Sequence, residues 1–139
     1  MSIVSSSLTG RSSAWPTLYA AIGLTTAATL ILELSLTRIF SVVFYYHFAF
    51  LAISIALFGL GGGGVVSYYV TVRGEKLFQR LGLLSALNAG AVVLSLSLIL
   101  HLAGQPATFA MLAMVYFAAA LPFLLSGAVV SLAIAETIQ

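Results

Sequence analysis

Five Lys and Arg and three Asp and Glu are spread over 139 residues, and the distances between them constrain the fold more than any motif does. Three runs carry no charge at all: 12–32, 39–72 and 81–135. About 20 apolar residues, at ~1.5 Å rise each, cross a hydrocarbon core of ~30 Å. The first run holds one such crossing and the second holds one with overhang. The third is more than twice a span and is interrupted by Ala103-Gly104-Gln105-Pro106, a turn-forming cluster whose proline suits the start of a following helix. It holds two. The spacing predicts an all-α integral membrane protein with four transmembrane helices.

Composition excludes the other classes. Hydrophobic residues make up 62%, charged residues 6%, and the mean hydropathy is +1.19, whereas soluble domains run at roughly 45–50% apolar and about 25% charged. There is too little polar surface to coat a water-soluble globule. Disorder requires low hydrophobicity, and nucleic-acid binding requires a basic stripe. A secreted disulfide scaffold requires cysteine, which is absent.

Residues 1–14 read as a disordered, Ser-rich tail and 15–139 as the transmembrane domain, with spans at about 16–36, 42–72, 81–102 and 107–135. Trp15 and Tyr19 sit at the first entry as interfacial aromatics. Tyr45 and Tyr46 lie about 36 Å by helical rise from Tyr68 and Tyr69, the separation of two aromatic belts on one helix. Pro122, near the middle of the fourth span, deprives the carbonyl of Ala118 of its usual donor and predicts a kink. Arg73, Lys76 and Arg80 share one connection, which the enrichment of cations in cytoplasmic loops assigns to the cytoplasm. Four spans then place both termini there too.

Glycine is concentrated at Gly59, Gly61, Gly62, Gly63 and Gly64. The string matches GxGxxG, but a dinucleotide site needs a preceding strand and an acidic residue about 20 positions on, where this chain has Leu84. Gly59 and Gly63 instead form a GxxxG pair, which lets another helix approach closely; a local hinge is the alternative. Ala86 with Gly90, and Gly127 with Ser131, are further small-xxx-small pairs expected to pack helices three and four. Asn88, with Ser85, Ser95 and Ser97 along the same helix, is expected to seek partners on neighbouring helices.

Glu33, Arg38, His47 and His101 form an expected polar cluster at the outer side of the membrane. An ionisable group within a span needs a partner. Five residues place Arg38 about 140° round the helix from Glu33, so the two do not stack as an i,i+4 pair. Glu33 either orients the helix end or forms a proton or ligand site. Facing imidazoles at His47 and His101 would ligate a haem iron, and a single one a chlorophyll magnesium. Otherwise the implied small-molecule partner is bound lipid. No nucleophile, zinc-ligand set or carboxylate pair stands out, so no catalytic residue is assigned.

The run Glu33-Leu34-Ser35-Leu36-Thr37-Arg38-Ile39-Phe40-Ser41, with Tyr46-His47-Phe48-Ala49-Phe50-Leu51-Ala52-Ile53-Ser54 and Leu57-Phe58-Gly59-Leu60-Gly61, resembles the N-terminal membrane region of bacterial spermidine-synthase-like proteins. Leu121-Pro122-Phe123 through Gly127 is similar to a later helix of that region. The resemblance implies a membrane region preceding a soluble aminopropyltransferase-like domain that binds a decarboxylated S-adenosylmethionine-type cofactor. This sequence contains no counterpart of that domain, and is expected to be a shortened relative or part of a longer chain. The expected function is a non-catalytic membrane subunit or scaffold packing against other transmembrane helices. The alternatives are a redox or photosynthetic subunit using His47 or His101, and a small transporter or proton pathway using Glu33.

Overall fold

The computed structural model describes residues 4–43, 49–70, 76–103, 105 and 108–137, with side chains described for 16–43, 50–69, 79–103, 105 and 108–135. Four helices follow in order: α1 (Val4–Val43), α2 (Ala49–Val70), α3 (Lys76–Leu102) and α4 (Phe109–Thr137). Each contains a stretch long and apolar enough to cross a membrane: Pro16–Val43, Phe50–Tyr69, Gln79–Leu102 and Phe109–Ala135. A chain this apolar must satisfy its backbone groups internally, and the helix does so segment by segment.

The number of helices agrees with the charge spacing, but the boundaries differ. α1 begins at Val4 and takes in most of the expected disordered tail. Pro16 sits inside it, forfeiting one ladder bond without ending the helix. At its other end α1 passes Leu36 and Arg38 and stops at Val43. Nothing from Leu24 to Val43 is glycine or proline, and a charge alone does not break a helix. α2 is described from Ala49, and Val42 belongs to α1; Tyr45 and Tyr46, on which the two-belt spacing rests, lie outside the described residues. α3 opens at Lys76, a turn before the expected start.

α4 begins with a built cap. The Thr108 hydroxyl accepts from the Met111 backbone N–H at 3.3 Å, and the Leu112 N–H donates to the Thr108 carbonyl at 3.0 Å. Threonine at this position satisfies one of the four donors a helix start leaves free. Thr108→Ala is therefore expected to cost about 0.5–1 kcal/mol, read as a lowered unfolding midpoint in detergent; an unchanged midpoint would show that the long bond contributes nothing. α4 then runs unbroken through Pro122, which is fully buried.

Buried residues make up 56% of the most apolar stretch of α4, against 33% in α2 and 17% in α1 and α3. α4 is accordingly the central helix, and it packs against all three others. It runs parallel to α2, since Gly59, Gly63 and Gly64 meet Phe123, Gly127 and Ser131 in ascending order. The core is uneven along its length. One half is filled by Leu36 and Phe40 of α1, Ile55 of α2, Ile99 of α3, and Val115 and Phe123 of α4. The other half is smaller among the described residues, with Leu18, Leu81, Leu132 and Ala133 buried and Ile22 and Leu84 packed against them.

Candidate functional site

Between the two halves lies a layer of hydrogen bonds joining three helices. Asn88 Nδ2 on α3 donates to Ser126 Oγ on α4 at 2.9 Å. Ser126 Oγ is 3.0 Å from Thr29 Oγ1 on α1, and Thr29 Oγ1 is 2.8 Å from the Thr25 carbonyl. Each hydroxyl has one proton. With the Thr29 proton on the Thr25 carbonyl, Ser126 donates to Thr29, and all three bonds are made in one direction: α3 to α4 to α1. Thr29 and Ser126 are buried, and Asn88 is half-buried. Among the described residues the acceptor Asn88 Oδ1 has no partner, nor does the buried hydroxyl of Ser95 on the same helix.

Beside this layer, in the sparsely packed half, a cavity of about 320 Å³ opens between α1, α3 and α4. Leu18, Ile22, Leu81 and Val129 supply apolar walls, and Thr25 and Ser85 supply hydroxyls. The Thr25 hydroxyl is satisfied by the Ala21 carbonyl at 2.8 Å, which leaves a largely apolar hollow at the lower end of the size range of ligand pockets, ~300–1,000 Å³.

The glycines divide by position. A Cβ at Gly63 would lie 2.7 Å from the Ala128 nitrogen and 2.9 Å from Gly127 Cα, and would meet the Leu124 carbonyl. At Gly59 it would lie 3.0 Å from the Ala120 carbonyl oxygen, and at Gly127 2.9 Å from Leu60 Cα. Gly62 and Gly64 are looser, 3.9 Å from Leu124 Cδ1 and 3.3 Å from Ser131 Oγ. Gly61 is exposed with nothing within 4 Å. α2 is continuous through all five.

Ala86 and Gly90 do not pack α3 against α4, as their spacing led us to expect. Both are exposed, and nothing lies within 4 Å of a Cβ at Gly90. The inward stripe of α3 is Leu81, Leu84, Asn88, Ala91, Ser95 and Ile99, and Ala86 and Gly90 each lie two residues, about 200°, from Asn88.

The expected outer cluster is not assembled among the described residues. Glu33 is half-buried and Arg38 exposed, with no ion pair between them. Glu33, three residues from the end of the expected span at Leu36, lies ten residues before the end of α1 at Val43. His101 is exposed at the end of α3, and His47 lies outside the described residues. No group of metal-ligating side chains occurs among the described residues. Thr29 and Ser126 carry no signal in the sequence, because a hydroxyl in an apolar helix usually bonds its own helix; Asn88, an amide within the apolar stretch of α3, is the available sign of the layer.

No protein-family model, curated protein or solved structure matches the chain. The resemblance to the spermidine-synthase-like membrane region therefore rests on its sequence runs alone.

Proposed function

We propose that the chain is a non-catalytic, four-span membrane subunit that packs through the outward face of α3 against a transmembrane helix of a larger complex. The observation that carries this reading is the contrast between two small-residue stripes. Gly59 and Gly63 are occupied by α4, whereas Gly82, Ala86 and Gly90, at i, i+4 and i+8 on α3, are exposed, with nothing within 4 Å of a Cβ at either glycine. In lipid, helix association gains from close backbone approach rather than from hydrophobicity, so such a stripe is where a second helix packs best. Gly82 also lines the cavity, so a helix seated on this stripe would close the cavity's open side, with lipid hydrocarbon or a partner side chain filling it. In this reading Arg73, with Lys76 and Arg80 in the first turns of α3, faces the cytoplasm of a bacterial inner membrane, as do both termini.

The test is native mass spectrometry of the full chain, purified in mild detergent from its own membrane. The expected result is a heavier partner that is lost in Gly90→Leu while the variant keeps its helicity and thermal midpoint. A partner retained by Gly90→Leu, or a chain bound to nothing but itself, would overturn the reading.

A further inference from the structure

α1 carries two heptad stripes. The inward one, Leu18, Ile22, Thr25, Thr29, Leu32 and Leu36, builds the bundle. The other follows the same alternating three-and-four spacing through Gly23, Ala27, Leu30, Leu34, Thr37 and Ser41, all exposed except the half-buried Thr37, with open space beside Gly23. Glu33 immediately precedes Leu34, and Arg38 immediately follows Thr37. In heptad terms, with Leu34 at a and Thr37 at d, Glu33 occupies g and Arg38 occupies e. A spacing of five from g to e is that of salt bridges between parallel helices rather than within one.

We propose that a second copy of this chain docks in parallel against this face of α1, pairing Glu33 of each copy with Arg38 of the other. Both charges lie in a membrane-spanning stretch, and neither has an ionic partner among the described residues. Leaving them unpaired in lipid is costly, and their 140° separation takes them out of the i,i+3 and i,i+4 spacings at which a pair forms on one helix. The surface is complementary to itself: a two-fold axis along the membrane normal brings Glu33 opposite Arg38 twice, as an isologous interface requires. The axial offset of five residues is about 7.5 Å. Side chains on a helix lean toward its N-terminus, so Arg38 reaches back toward the level of Glu33. The α3 stripe takes no part in this contact.

The chain has no cysteine, so single-cysteine variants of the full protein report the contact directly. Under mild oxidation in native membranes, Leu30→Cys and Leu34→Cys are expected to give a disulfide-linked species of twice the 14.5 kDa chain mass. Phe117→Cys, on the exposed face of α4, is expected to remain single. In the Leu34→Cys background, Glu33→Arg or Arg38→Glu alone should reduce the linked species at least about tenfold, because each leaves an uncompensated charge in the interface. The two together should restore it. Yields at 30 and 34 no higher than at 117, a linked product of any other mass, single reversals without effect, or a double reversal as low as the singles would each overturn the proposal.

Discussion

Gly63→Ala is expected to destabilise the bundle by about 1–3 kcal/mol, the range for forcing extra volume into a packed interior, while Gly61→Ala, two residues away, is expected to be neutral or stabilising. Helix propensity favours alanine over glycine by about 1 kcal/mol in water at both positions. The opposite signs therefore come from what the new methyl meets. At Gly63 it meets backbone alone: the Leu124 carbonyl, the Ala128 nitrogen and Gly127 Cα. Backbone cannot rotate away as a side chain can, so α2 and α4 must move apart along the seam where Gly127 also approaches Leu60. At Gly61 the methyl enters open space. Gly127→Ala should behave as Gly63→Ala does, because it presses on the same seam from the other helix. Unfolding of each variant by SDS titration, followed by circular dichroism, measures the difference. A Gly63→Ala variant as stable as Gly61→Ala would mean that the seam does not hold the bundle together.

The same comparison explains which parts of the fold were legible in advance. Helix number follows from charge spacing because a charge in hydrocarbon is costly enough to act as a near-binary marker. Helix ends do not follow from it: Arg38 is the residue at which the sequence invites a boundary, yet α1 passes through it for another turn because no glycine or proline intervenes. The local pattern of Gly59 and Gly63 is also indistinguishable from that of Ala86 and Gly90, yet one pair is inside and the other outside. What separates them is the azimuth of each helix, fixed by residues elsewhere. On α3 the inward face carries Asn88, bonded to Ser126, together with Leu84, Ala91, Ser95 and the fully buried Ile99, and Gly90 faces out. A polar residue in a span thus reads orientation better than a small pair does, but only when its partner is known. Ser126, whose hydroxyl meets both Asn88 and Thr29, carries no local sign of that role.

Ser126→Ala is accordingly expected to cost about 1 kcal/mol, although it removes a single oxygen. Two interhelical bonds end on that oxygen, and bonds of this kind in membranes average about 0.6 kcal/mol each. The loss also leaves the Asn88 amide and the Thr29 hydroxyl facing each other across a gap. Asn88→Leu is expected to cost less, because it removes one bond together with the carbonyl oxygen that has no partner among the described residues; deleting an orphaned buried group offsets part of the lost bond. Because the three side chains form one chain of donors, their effects are not additive: once Ser126 is alanine, Asn88→Leu should cost nothing further or restore stability. A double-mutant cycle over Ser126→Ala and Asn88→Leu in SDS unfolding measures the coupling directly. Additive costs would show that the two groups act independently, and an Asn88→Leu variant less stable than Ser126→Ala would show that the amide is held by more than its bond to α4.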